Sequence, residues 1–189
     1  NWATNKYTAD GRLNTQLWDE ERLTTWFDTF MPTLELRNDT VAELMSDSAL
    51  VWITEYDFDG FRHDATKHIP MNFTRLLTQK IRAASEDHVY QIGETYGSDE
   101  LIASYVGSGK VDAQFNFNLY DAAFEAFTQE GATFDRLRKA LESSLTYYGH
   151  HHLMGNISGN QDKPRFSSMA SGHLSMSEDS KLAGWTREI

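Results

Sequence analysis

The run Asp59-Gly60-Phe61-Arg62-His63-Asp64-Ala65-Thr66-Lys67-His68 decides how the rest of the chain is read. It leaves a turn, passes through a short apolar-rich strand, and places Arg62, Asp64, Lys67 and His68 within seven positions. Alternate residues of a strand share a face, so Arg62 and Asp64 would point together into one pocket. An arginine beside a carboxylate favours its charged form and orients it through charge-assisted hydrogen bonds. Such a carboxylate can attack as a nucleophile. It can equally be half of a structural ion pair at a strand end, and the stretch alone leaves both open.

Outwards from this run, the chain alternates short strands with helices. Phe73, Leu76, Leu77, Ile81 and Ala84 recur on one helical face and predict a helix over 72–84. The segment 88–94 then reads as a strand closing on Glu94. A short helix over 99–106 leads to a strand at 111–117, a helix at 119–128, and a stronger one from Phe134, Leu137, Leu141, Leu145 and Tyr148. A fourth strand at 152–157 runs into Ser158-Gly159-Asn160-Gln161-Asp162, and one more helix is expected at 177–185. Upstream, Asn38, Asp39 and Thr40 are N-cap types, and Glu43 completes a capping box with Thr40. The helix they open carries Val41, Leu44, Met45, Ala49, Trp52, Ile53 and Tyr56. Before it, residues 1–37 read as an irregular excursion with one short helix presenting Leu23, Trp26, Phe27 and Phe30.

Alternating strands and helices argue for parallel strands with covering helices. Three of the strands end in polar, ionisable residues, and that carboxyl edge carries the chemistry in a (β/α) barrel and in a doubly wound sheet alike. A length of 189 residues suits one domain with a sizeable core. Basic residues number 17 against 28 acidic ones, a net charge of −11 that argues against nucleic acid as a partner. No apolar run approaches the roughly 20 residues of a membrane span, and no signal peptide is visible at Asn1-Trp2-Ala3-Thr4. The absence of cysteine excludes disulfides and thiolate metal sites.

Taken together, the Asp59–His68 run, Gln91-Ile92-Gly93-Glu94 and Gly159-Asn160-Gln161-Asp162, in that order, resemble the α-amylase family of glycoside hydrolases, in particular bacterial α-glucan-degrading members. The resemblance implies a (β/α)8 TIM barrel, of which residues 38–189 would supply about strands four to seven with their helices. It implies an internal fragment of a longer enzyme, inactive on its own. It also implies hydrolysis of α-glucosidic bonds with retention, on starch-like glucans or malto-oligosaccharides. On the matching positions, Asp64 stands as nucleophile, Glu94 as general acid/base and Asp162 as third carboxylate. Arg62 orients the nucleophile, Lys67 and His68 line the aglycone side, and Asn160 and Gln161 sit where sugar hydroxyls are held. No cofactor is required for the chemistry. The backbone carbonyl of His68 is placed where the family can bind a structural calcium. Tyr96 and Phe166 follow the second and third motifs and are read as sugar-stacking rings, whereas Trp52 and Phe73 are read as core packing.

The chemistry suits those roles. Retention needs a nucleophile and an acid on the order of 5 Å apart, with positive charge developing on the sugar between them. Two positions depart from the family pattern: His63 stands where an aliphatic residue is common, and Gln161 where His is. The family's first motif, an Asp-rich strand ending in Asn-His, is not found. Two rivals use the same residues differently, an α-glucanotransferase passing the sugar to another sugar and a non-catalytic barrel-derived binding module. His150-His151-His152 reads as a loop and strand start, because consecutive strand residues face opposite ways. Gly107-Ser108-Gly109-Lys110 fails as a phosphate loop, since Ser104 and Val111 occupy positions that need Gly and Ser/Thr.

Overall fold

The computed structural model describes residues 7–10, 12, 14–28, 30–149 and 153–170. Its frame is a three-stranded parallel sheet of β1 (Gly60–His63), β2 (Tyr90–Gly93) and β3 (Ala113–Gln114), in that spatial order. The register sets His63 beside Gly93 and Gly93 beside Gln114. Asp64 and Glu94, the next residues of β1 and β2, therefore leave the sheet side by side at its carboxyl edge. At the other end Gly60 meets β2 so closely that a Cβ would overlap the Tyr90 carbonyl oxygen.

The helices are α1 (Thr15–Glu20), α2 (Asp39–Thr54), α3 (Met71–Ala84), α4 (Asp99–Ser104), α5 (Phe117–Thr128), α6 (Asp135–Tyr148) and α7 (Phe166–Ala170), with a 3₁₀ turn at Thr66–His68. They fall into two compact units. The first runs to Thr95 and includes Ser104–Gln114; the second comprises Tyr96–Ala103 and the residues from Phe115 on.

In the first unit, α3 turns Phe73, Leu77 and Ile81 inward, where they meet Ala42 and Ile53 of α2 and Val89 before β2. Burial of each large side chain is worth about 1.5–3 kcal/mol. Lys80 of α3 lies 2.5 Å from both Glu43 and Asp47 of α2 and ties the two helices across their polar edge. The cap of α2 is Asn38, whose Oδ1 accepts from the backbone of Thr40 and Val41, rather than Thr40 itself. That helix buries Ala42, Ser46 and Ile53 and leaves Leu44, Met45, Trp52 and Tyr56 exposed. The expectation that Trp52 packs in a core is therefore corrected. Its ring is half exposed and lies against Tyr56 and Phe58, because the small side chains of Ala42 and Ser46 are what the close face of α2 presents.

Helix α1 ends at Glu20, before the apolar stripe expected to be helical begins at Leu23. Asn14 accepts from the Leu17 amide and sets the start. The Thr24 and Thr25 hydroxyls then take the Glu21 carbonyl, a local competition that stops helices. Leu23 and Thr24 lie in a turn, and Asp28 makes an antiparallel bridge to Met31.

In the second unit, α5 packs on α6 and α7, with Tyr120, Phe124, Met169 and Ile157 forming its core. The strand expected at 152–157 is reduced to one parallel bridge, Phe115 to Gly155. His150–His152 and the helix expected at 177–185 lie outside the described residues. The stripe expected to bury α6 is largely exposed at Phe134, Leu141 and Leu145. The helix is held instead by polar anchors: Ser144 accepts from the Asn116 amide at 2.8 Å, and Ser143 and Tyr148 donate to Asp99. Burial disfavours the Asp99 anion, yet these two hydroxyls and Asn118 together hold its carboxyl below the usual range.

Candidate active site

The backbone at the end of β1 brings the first two carboxylates together. The Glu94 amide donates to the His63 carbonyl and to the Thr66 hydroxyl, both at 2.9 Å, and the Thr66 amide donates to the Glu94 carbonyl at 2.7 Å. Between Asp64 and Thr66 the chain turns through Ala65, whose φ of 45° is left-handed, a conformation a residue with a Cβ adopts only against strain. That turn aims the Ala65 N–H at Glu94 Oε2, 3.3 Å away.

Arg62 completes the pair. One of its terminal nitrogens contacts Asp64 Oδ1, and the other lies 2.9 Å from Glu94 Oε1. Spacing within one strand could connect Arg62 only to Asp64; its reach to Glu94 depends on the parallel register and was not legible beforehand. The Asp64 side chain is 75% exposed while that of Glu94 is 11% exposed. One carboxylate therefore faces solvent and the other lies in the wall behind it.

Lys67 and His68 are placed differently from one another and from that pair. The Lys67 ammonium pairs with Asp19 at 2.7 Å, and its carbonyl accepts from the Tyr105 hydroxyl. The His68 ring is buried between Trp18 and Phe27. The Trp18 indole, a donor only, gives its N–H to Nε2 at 3.2 Å, so Nδ1 carries the proton and donates to the Arg22 carbonyl at 2.8 Å. Burial pulls its pKa down to about 4, and the ring stays neutral. Its side chain fastens the segment around α1 to the turn after Asp64. Calcium prefers six to eight oxygen ligands. Among the described residues no group of three or more His, Asp or Glu side chains could hold a metal ion.

In the second unit, Asn160, Gln161 and Asp162 form one tight turn. Asn160 Oδ1 accepts from the Asp162 amide at 3.0 Å, and Gln161 donates to Asp162 Oδ2 at 2.9 Å. Lys163, next along, sits 5.2 Å from the centre of the Tyr96 ring and 5.7 Å from that of Tyr120, with Asp121 at 3.8 Å. Tyr96 stacks on Phe117 at 3.9 Å and remains part exposed. Phe166 opens α7 and meets Phe124 and Phe127 edge-on.

Comparison with known proteins bears directly on this arrangement. The family model of the alpha-amylase catalytic domain matches residues 6–185. The chain belongs to that family. A cyclomaltodextrinase of Geobacillus thermopakistaniensis is 30% identical to this amylase-family chain over 155 residues, 78% of the chain and 26% of the relative. Alpha-amylase 2 of Schizosaccharomyces pombe is also 30% identical, over 82% of the chain and 24% of its own length. The chain thus spans about a quarter of these curated relatives. The alpha-amylase of Geobacillus thermoleovorans, solved in complex with acarbose, superposes with a TM-score of 0.75 at 24% identity, covering 89% of this chain and 36% of that one. The family's catalytic domain is a (β/α)8 barrel, and the three parallel strands with their helices are part of one.

Proposed function

We propose that this chain carries part of the catalytic site of a retaining glycoside hydrolase that cleaves α-glucosidic bonds in starch-like glucans or malto-oligosaccharides. The observation that carries this reading is the Arg62 guanidinium reaching both carboxylates at adjacent strand ends. A separation on the order of 5 Å, which double displacement requires, is within what one guanidinium can bridge. Asp64, exposed and oriented by Arg62, attacks the anomeric carbon, and the bond to the leaving oxygen breaks as Glu94 protonates it. Glu94 then draws the proton from a water that releases the sugar from Asp64, with net retention. The sequence motif assigns Asp162 the third carboxylate role, stabilising positive charge on the sugar and gripping its hydroxyls. Asn160 and Gln161 would hold that carboxylate and offer amide donors, and the Tyr96 face would supply an apolar platform for a sugar ring. The acarbose complex of the Geobacillus thermoleovorans relative supports an oligosaccharide ligand.

The test uses the natural full-length protein on maltoheptaose. Wild type should release products first formed in the α configuration by NMR, and Asp64→Asn should abolish turnover with the fold intact. First products in the β configuration would rule out double displacement. Products longer than the substrate would assign transfer to a sugar acceptor instead of water.

A further inference from the structure

The opposite face of the sheet, which the proposed chemistry does not use, holds buried polar side chains where apolar ones would be expected. His63, between Arg62 and Asp64, turns its ring to this face and meets Gln91 Oε1 at 3.1 Å. Gln91 donates onward to Thr78 Oγ1 of α3 at 3.0 Å, and Thr78 donates to the Lys110 carbonyl at 3.3 Å. Gln91 and Thr78 each accept one bond and donate the next, so the line has one direction. At its upper end sits Thr66, 1% exposed. Its hydroxyl donates to the His63 carbonyl at 3.0 Å and accepts from the Glu94 amide at 2.9 Å. The Thr66 oxygen therefore touches the residue before Asp64 and the amide of Glu94 at once. Gly93 makes room for it: a Cβ there would come within 2.6 Å of Thr66 Oγ1 and 2.5 Å of the buried Gln114 amide.

We infer that Thr66 is a positioning residue that fixes the separation of the Asp64 and Glu94 carboxyl groups, with the His63–Gln91–Thr78 line holding the strand beneath it. Thr66 touches no reacting atom; it acts through the His63 carbonyl, in the peptide that joins Asp64, and through the Glu94 amide. The inference rests on the glycoside hydrolase reading for its consequence in rate, but the mechanical part stands on the contacts alone. A displacement of about 1 Å at a reacting pair can cost about 100-fold in rate.

The experiment compares Thr66→Val, which keeps shape and loses the hydroxyl, with Thr66→Ser, which keeps it, in the natural full-length protein. Thr66→Val should lower kcat on maltoheptaose about 10- to 100-fold with KM within twofold, and Thr66→Ser should restore most of it. Amide hydrogen exchange, which needs no turnover, should quicken at Glu94 in Thr66→Val relative to Ile92 and return to the wild-type rate in Thr66→Ser. If exchange at Glu94 is unchanged in the valine variant, the positioning role is wrong whatever the protein catalyses. Changed exchange with unchanged kcat likewise overturns it. If the two variants are equally impaired, volume and not the hydroxyl matters, and the inference fails. Loss of wild-type activity alone would overturn the hydrolase reading and leave the exchange result to decide for Thr66.

Discussion

The end of β1 and the Asn160–Asp162 turn each present a carboxylate that the sequence singles out, and they are held by opposite means. Around Asp64 and Glu94 the bonds join residues far apart in the chain: Ala65 to Glu94, His63 to Gln91, Lys67 to Asp19, His68 to Arg22. Around Asp162 they join immediate neighbours, Asn160 and Gln161. The first arrangement exists only when strands, helix and excursion have assembled. The second is an Asx-type turn whose geometry is written in its own three residues. Disturbance anywhere in the first unit should therefore reach Asp64 and Glu94, whereas Asp162 should answer chiefly to changes next to it.

The sharpest way to break that contrast is at Arg62. Arg62→Ala removes the cation that Asp64 and Glu94 share and should reduce kcat/KM on maltoheptaose about 10³-fold, near 4 kcal/mol. A loss under tenfold would mean that the backbone alone sets the pair. Next is acid. His68 is neutral in the fold with its pKa near 4 against 6.5 unfolded, so between those values the unfolded chain binds the extra proton. Stability is then fully present above about pH 6.5 and falls as pH drops towards 4, by about 3 kcal/mol in all. Denaturant midpoints measured across that range should show the slope, and His68→Asn should flatten it; an unchanged slope would place the acid sensitivity elsewhere. Gly93→Ala should follow at about 1–3 kcal/mol of lost stability, because its methyl group meets Gln114 and Thr66 where both are buried. An unchanged midpoint in guanidinium would show that the layer yields. Smallest is Lys163→Ala, which removes the cation beside Tyr96 and Tyr120. It should cost about 0.5–1 kcal/mol, seen as a rise of a few-fold in KM with kcat retained; a larger fall in kcat would make the turn less self-contained than its contacts imply.

The same contrast explains what could be read in advance. The alternating plan and the parallel strands followed from the spacing of Phe73, Leu77 and Ile81 and from strand runs closing on Asp64 and Glu94. The inward faces of α2 and α6 were misread in part: Ile53 and Tyr148 are buried as their stripes require, but the other buried positions are small or polar, Ala42, Ser46 and Ser144, and Leu44, Met45, Leu141 and Leu145 lie outside. Hydrophobic periodicity cannot register a helix seated on its small side. At the site, the motif residues were legible, but the share of Arg62 that goes to Glu94, the buried post of His68 and the work of Thr66 arise from register between strands. The one signal that pointed there was His63 itself, a polar residue where the family pattern is aliphatic.

Ala65 carries a consequence for anyone reshaping this protein. Holding a methyl-bearing residue in the left-handed region costs about 1–2 kcal/mol, more than the roughly 0.4–1 kcal/mol of chain freedom that glycine adds to the unfolded state. A selection for heat tolerance alone would be drawn to Ala65→Gly. Variants recovered that way should outlast the parent on heating yet turn over substrate more slowly, since the stiff joint beside Asp64 would have become a loose one.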